Sequence, residues 1–448
     1  MKNISAEFIN SEEMKEKLIK VNKEVKIEKS GLPLMYDKEN IYIDDKETHT
    51  LIIGSTGSGK TQTTILPQVK LSMIAGESLV INDVKGEIYN RYAKLLESNG
   101  YKTIVLNFEN PNLGNSWNPL TLPYKLYKEG NKDKSLEIIE ELAYYLFYEK
   151  GEKVNDPFWI NSTMDYFIGM TLYLFENGSD NEINLNSVYN LSNYPSDVLL
   201  SKIDKNSNIY YSVSGILNAP TETRGSIIAV FNQKLKKYMY RENLMNMLST
   251  SDFDISNISN EKTALFIVSG QSTFATNLIP LLVNQIFNAV DLYGNHQKRL
   301  NILLDEFDGL LPIKNFVKLI NYARSINIKI TVIVQSLIEL VNVYGKENYE
   351  LLKMCFPNIV YLLSNDGFTL TEISDLCGNQ YIDGNVVPLI SVEKLKLLKN
   401  FEAIVLIPRI LPFRTKLLPD YQYEDGLSFE HKDIPVRNIN EINIFELK

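Results

Sequence analysis

An apolar strand that runs into a glycine-rich loop and then into a helix leaves a chain little freedom of fold. This one carries such a run at Leu51-Ile52-Ile53-Gly54-Ser55-Thr56-Gly57-Ser58-Gly59-Lys60-Thr61. The stretch holds the complete G-x-x-x-x-G-K-[ST] pattern, which belongs at the carboxyl end of a strand in an α/β sheet. Gly54, Gly57 and Gly59 let the backbone curl so that successive N–H groups, including those of Ser55, Thr56 and Ser58, point inward at phosphate oxygens. Lys60 is the mobile cation for the β- and γ-phosphates, and the Thr61 hydroxyl is placed for one position around Mg²⁺. The expected ligands are ATP and Mg²⁺, and Gln62 to Ile74 reads as the helix that leaves the loop.

Further apolar runs predict strands at Thr50–Ile53, Ser78–Asn82, Thr103–Leu106, Thr263–Val268, Leu300–Leu304, Ile328–Val334, Ile359–Leu363 and Phe401–Ile407. Most are continuously apolar, which suits parallel strands covered on both faces. Between about Trp117 and Ser259 the alternation stops, and helical patterns appear at Ser135–Tyr148, Pro157–Glu176, Asn186–Ser192 and Glu222–Arg241. A chain of 448 residues exceeds what one core supports, so two domains are expected. The expected fold class is α/β: a RecA-like phosphate-loop NTPase domain with a central, mostly parallel sheet, plus an inserted all-α domain. The boundaries read as 1–120 and 250–448 for the nucleotide domain, with an acidic tail from Asp420, and 121–249 for the insert.

The strand Leu300–Leu304 ends in Asp305-Glu306, the form a second nucleotide-binding motif takes. Asp305 is read as holding Mg²⁺ through water, and Glu306 as orienting and polarising the attacking water. Gln335, at the end of the next strand, is the candidate sensor of the γ-phosphate. Arg324 closes the helical run Ile313–Ser325. A cation there is favoured by the helix dipole alone; the sharper reading makes it an arginine finger acting on a neighbouring subunit's site, which demands a ring.

The net charge of −9 argues against an overall electrostatic grip on nucleic acid. A local grip was weighed at Lys234–Arg241, where four cations and two tyrosines fall in eight residues. The favoured reading is the solvated side of a helix whose inner stripe is Ile227, Ile228, Phe231, Leu235 and Tyr238. No apolar run approaches the roughly 20 residues that cross a bilayer, and the start of the chain has no apolar signal core. Cys355 and Cys377 lack metal-site spacing and read as buried thiols.

Taken together, the motifs resemble those of the coupling-protein ATPases of type IV secretion and bacterial conjugation, relatives of the septal DNA translocases. The resemblance rests on the phosphate loop, Asp83-Val84-Lys85-Gly86-Glu87 where the family has Asp-Pro-Lys-Gly-Glu, Ser116-Trp117-Asn118-Pro119-Leu120, Asp156-Pro157-Phe158-Trp159, Arg224-Gly225-Ser226-Ile227, Leu304-Asp305-Glu306-Phe307, the spacing from Arg324 to Gln335, and Pro412-Phe413-Arg414. It implies a homo-hexameric ring that pumps single-stranded DNA with its attached relaxase. The family's usual transmembrane helices are missing, so the expected location is cytoplasmic, with recruitment to the inner face of the membrane by a separate membrane-anchored channel or tether protein. Two other readings share the catalytic residues: a soluble DNA translocase or helicase unconnected to secretion, and a nucleotide-gated substrate receptor with slow ATPase.

Overall fold

The computed structural model describes residues 5–22, 27–37, 40–149, 156–423, 426–439 and 441–447. They form two compact units, one of Met1–Thr103, Ile258–Phe266 and Gly294–Lys432, the other of Ile104–Asn257, Ile267–Tyr293 and Asp433–Lys448. The second unit thus takes in chain on both sides of the span 121–249.

Fourteen strands are found among the described residues: β1 (Ile19–Val21), β2 (Leu32–Tyr36), β3 (Ile41–Asp44), β4 (Thr50–Gly54), β5 (Ser78–Asn82), β6 (Lys102–Asn107), β7 (Thr263–Val268), β8 (Leu300–Leu304), β9 (Ile328–Val334), β10 (Asn358–Leu363), β11 (Asn379–Ile382), β12 (Asn385–Pro388), β13 (Glu402–Leu406) and β14 (Phe413–Lys416). The main sheet has the order β14-β13-β10-β4-β9-β8-β5-β7-β6. Its interior pairs β10–β4, β4–β9, β9–β8 and β8–β5 are parallel, whereas β10–β13 and β13–β14 are antiparallel. Strands β4, β5, β7, β8 and β9 are buried at every residue, which is why each reads as a predominantly apolar run.

All eight expected strands are present, within a residue or so at their ends. The sequence reading missed β1–β3, which form a small antiparallel sheet, the β11–β12 hairpin and the last strand β14. The hairpin turns through Asp383 and Gly384, both at positive φ (+50° and +79°), as a two-residue turn matched to strand twist requires.

The second unit is built mainly of helices. Pro157–Asn177 starts on an Asp156 cap that accepts the Phe158 N–H at 3.0 Å, with proline at its first position. It packs closely on the helix Asn208–Leu217 because Gly169 leaves no side chain between them: a Cβ there would lie 2.2 Å from Val213 Cγ1. Phe147, Phe167, Phe231 and Tyr166 form its aromatic centre, at ring separations of 5.2–5.6 Å. Asn118 ties this unit's loops together, donating to Ile183 O at 2.6 Å and Ser249 O at 3.1 Å, so the Asn-Pro-Leu motif has a structural task here. In the helix Thr221–Met239 the expected stripe is buried at Ile227, Phe231, Leu235 and Tyr238, while Ile228, at its margin, is half-buried. The cations are less free than a solvated face suggests: Lys234 and Lys237 both reach Glu149, at 3.4 and 3.0 Å, and the Arg241 guanidinium lies 4.4 Å over the Phe274 ring. Cys355 and Cys377 are buried free thiols.

Candidate nucleotide-binding site

Adjacent parallel strands deliver the chemistry to one edge. β4, β5, β8 and β9 end at Gly54, Asn82, Leu304 and Val334, so the residues that follow them line a single cleft of about 330 Å³. The cleft holds Ser55 to Gly57, Gly59 to Thr61, Asp83, Lys85, Glu87, Asp305, Glu306 and Gln335. Ligands bind at this position in open α/β sheets.

The loop after β4 turns through Gly57 and Gly59 at φ +83° and +90°, which side chains with a Cβ rarely adopt. A Cβ on Gly59 would also lie 2.7 Å from the Phe401 ring, so that aromatic braces the loop from outside. The Ser58 hydroxyl is buried without a hydrogen-bond partner among the described residues and packs against Gly54, where a Cβ would lie 2.5 Å from it. The following helix opens with a π-helical turn, Thr61–Ile65, before Leu66–Ala75 becomes α-helical. Such turns gather at functional sites.

Lys60 donates to the Gly54 carbonyl and, at 3.3 Å, to that of Ser55. Burial lowers its pKa, while the charges of Asp305, Asp308 and Glu306 act against that shift. Thr61 Oγ1 approaches Asp305 Oδ2 at 3.5 Å, a loose contact between the two groups read as cation ligands. Burial is the main cause that pushes the Asp305 carboxyl up to about 6, with Lys60 opposing it. A carboxylate left short of positive charge in this way suits a divalent cation. Asp83 is likewise pushed up to about 6 by burial, although its carboxylate accepts the Tyr89 N–H at 2.8 Å. The Gly86 turn (φ +75°) ends that loop and starts the helix Glu87–Ser98.

Glu306 is exposed and left-handed (φ +51°), its N–H donating to Asp305 Oδ1 at 3.0 Å. A non-glycine residue held there is strained, and strain of this kind collects at active sites. The Gln335 backbone N–H donates to Asp308 Oδ2 at 3.1 Å, which anchors the end of β9 beside the acidic pair. Arg324 is not part of this cluster. It is exposed in the turn that precedes β9, so a seven-residue strand separates it from Gln335, about 20 Å at 3.3 Å per residue. Its charge acts instead on Glu47 and His49 at the opposite edge of the sheet.

Three site residues escaped the sequence reading. Asn82 donates to the Asp305 carbonyl at 2.6 Å, Asp308 holds Gln335, and Phe401 braces Gly59. Asp308 had a signal, as the third acid of Asp-Glu-Phe-Asp; the other two come to the site only through folding.

A family model described as Type IV secretory system Conjugative DNA transfer matches residues 2–385. Among solved structures, the bacterial conjugative coupling protein TrwBdeltaN70, trigonal form in complex with sulphate, matches with a TM-score of 0.70 at 15% identity, covering 96% of this chain and 97% of that one. The plasmid coupling protein TrwB in complex with the non-hydrolysable ATP analogue ADPNP matches with the same score, identity and coverage (0.70, 15%, 96% and 97%). VirB4 of Thermoanaerobacter pseudethanolicus matches with a TM-score of 0.52 at 13% identity, over 88% of this chain and 98% of that one. No curated protein matches in sequence. The fold is therefore the RecA-like phosphate-loop fold with an all-α domain. Among the described residues, no helix is long and apolar enough to cross a membrane.

Proposed function

The chain belongs to the type IV secretory system conjugative DNA transfer family, and we propose that it is an ATP-hydrolysing coupling protein that pumps relaxase-bound single-stranded DNA to a secretion channel. The observation that carries this reading is the convergence of Lys60, Thr61, Asp305, Glu306 and Gln335 on one cleft in a chain of this family. ATP with Mg²⁺ supplies the bond to be cleaved and compensates phosphate charge. No group of three or more His, Cys, Asp or Glu side chains among the described residues could hold a metal alone, which fits an ion that arrives with its phosphates.

In this reading the loop amides and Lys60 hold the phosphate chain, and Thr61 and Asp305 orient it from the cation's side. Glu306, exposed at the cleft, accepts a proton from the attacking water, and Gln335 contacts the γ-phosphate. Arg324 cannot reach its own cleft from the opposite edge, so its catalytic use requires a neighbouring copy, as in a homo-hexameric ring. Residues 121–249 form the inserted helical domain, and a membrane-anchored partner recruits the motor to the inner face of the membrane.

The deciding experiment measures ATP turnover with and without single-stranded DNA, together with recovery of a relaxase and a channel protein on the tagged chain. Single-strand-stimulated turnover with both partners recovered supports the reading. Stimulation by duplex DNA without either partner makes the chain a free translocase, and turnover indifferent to DNA makes it a receptor.

A further inference from the structure

The C-terminal part of the first unit is a strap across the two helices that grow out of the nucleotide cleft. Leu66–Ala75 continues the turn that begins at Thr61, and Glu87–Ser98 follows the Asp83–Glu87 loop. Asp420 bonds to both. Its Oδ1 lies 3.0 Å from Lys70 Nζ on the first helix and accepts the Tyr92 hydroxyl at 2.7 Å on the second, while its Oδ2 accepts from Arg91 at 2.7 Å. The Lys70 and Asp420 side chains are 3% and 0% exposed. Aromatic rings from the strap complete the enclosure, with Tyr423 4.9 Å from the Lys70 ammonium and Phe429 4.4 Å from the Arg91 guanidinium. Lys432 extends the attachment along the second helix, its N–H donating to Asn90 O at 2.9 Å. The short turn Asp420–Gln422 also packs directly on the π-helical turn Thr61–Ile65.

An ion cluster built on a buried carboxylate, with Lys70 buried and Arg91 36% exposed, is a poor device for stability alone, because apolar residues of similar volume usually serve as well or better. What it supplies is geometry, since a charge-assisted bond to each helix fixes their mutual register. That register sets whether Lys60 and Thr61, at the start of one helix, and Asp83 to Glu87, at the start of the other, face the same cleft.

We propose that Asp420 is a positioning residue for the nucleotide site, holding the phosphate-loop helix against its neighbour through the C-terminal strap. The proposal rests on the nucleotide-binding reading above. Asp420→Asn keeps the size and one acceptor while it removes the charge. Measured below the variant's own melting temperature, its Kd for ADPNP with Mg²⁺ should rise at least tenfold and KM should change more than kcat. With no nucleotide present, the amides of residues 61–66 should exchange faster than in the wild type.

Two further variants separate positioning from plain stability. Phe429→Ala should weaken ADPNP binding about threefold, and it decides by the same readouts if Asp420→Asn does not fold. The apolar set Lys70→Met, Arg91→Met, Tyr92→Phe and Asp420→Leu, which leaves none of the acid's partners behind, should recover the melting temperature without recovering affinity. Wild-type affinity and exchange in Asp420→Asn, or full recovery of affinity by the apolar set, would overturn the proposal. If the wild type itself fails to bind ADPNP, the nucleotide reading falls, while the exchange comparison without nucleotide still decides whether the strap orders the loop.

Discussion

The two edges of the central sheet bury similar kinds of charged and polar residues and treat them differently. At the amino edge, Glu77 accepts bonds from Ser30 N at 3.1 Å and Asn301 Nδ2 at 2.7 Å, with Arg299 3.8 Å away. Arg299 itself donates to Ser30 O at 2.9 Å and Asp45 O at 3.1 Å. Lys329 donates to Lys46 O at 2.9 Å, and both His49 nitrogens are occupied, by Ile320 O at 3.0 Å and Ile330 N at 3.1 Å. At the carboxyl edge Thr61 and Asp305 barely touch, and Glu306 stands exposed on a strained backbone. Burial is common to both edges. The difference is that the charged groups of one edge are closed on neighbouring groups, whereas those of the other are held open toward a cleft, and only open groups are available for chemistry.

The largest effects should come from breaking the open edge. Lys60→Ala should abolish hydrolysis, since it removes the mobile cation facing the β- and γ-phosphates. Arg324 tests the comparison from the other side, as an exposed cation on the closed edge: Arg324→Ala should lower turnover by roughly 10³–10⁵ with near-normal ADPNP affinity. Mixing it with Lys60→Ala subunits should restore part of the rate, since each supplies what the other lacks. Wild-type turnover in Arg324→Ala would return this arginine to a helix-terminal cation.

Glu306→Gln should lower turnover by about 10²–10⁴ and leave nucleotide binding intact; near-normal steady-state hydrolysis would remove its role as base. On the closed edge the outcome reverses. Glu77→Leu leaves Arg299 buried without its acid, so stability should fall by about 3–5 kcal/mol in a denaturant titration while turnover per folded molecule stays the same. A loss of turnover at unchanged stability would blur the distinction between the edges.

The smallest effect is on pH. The Asp83 and Asp305 carboxyls sit at about 6 in the folded chain, above the ordinary 3.8, so their ionised forms weaken the fold above that pH and the strain is relieved as pH falls toward 4. His49 is held down to about 4 by burial, against 6.5, so its contribution is present above 6.5 and is lost as pH falls through 4. Between pH 7 and 5, amide protection factors, which take out the fall of the intrinsic exchange rate with pH, should rise around the carboxyl edge and drop around His49. Mg²⁺-dependent nucleotide binding, which needs the Asp305 carboxylate, should weaken about tenfold at pH 5.

The open edge was largely legible in the sequence because each of its residues directly follows an apolar strand. Lys60, Asp305 and Gln335 are marked by where β4, β8 and β9 stop, and strands buried on both faces announce themselves as predominantly apolar runs. The closed edge was not legible. Glu77, Arg299 and Lys329 look like ordinary surface charges until the fold brings Ser30, Asp45 and Lys46 to them. β1–β3 are too short to show a period, and Pro33 within β2 argues against a strand. The Asp420 tail read only as polar and acidic, since its bond to Arg91 spans 329 residues of chain. At Lys234–Arg241 the apolar stripe gave the buried face correctly, but no local pattern announced Glu149 as the acceptor of two of its lysines.

The placement of β4 also governs how the chain is made. Ile52 pairs with Ile333 on one side and Val360 on the other, so the strand that carries the phosphate loop emerges from the ribosome long before either neighbour exists. At about 5–20 residues per second, it waits roughly 15–60 s with an apolar edge unpaired. Nascent chains arrested before residue 360 should therefore bind chaperones and retain no ADPNP, and yields in a foreign host should improve when chaperone supply is raised.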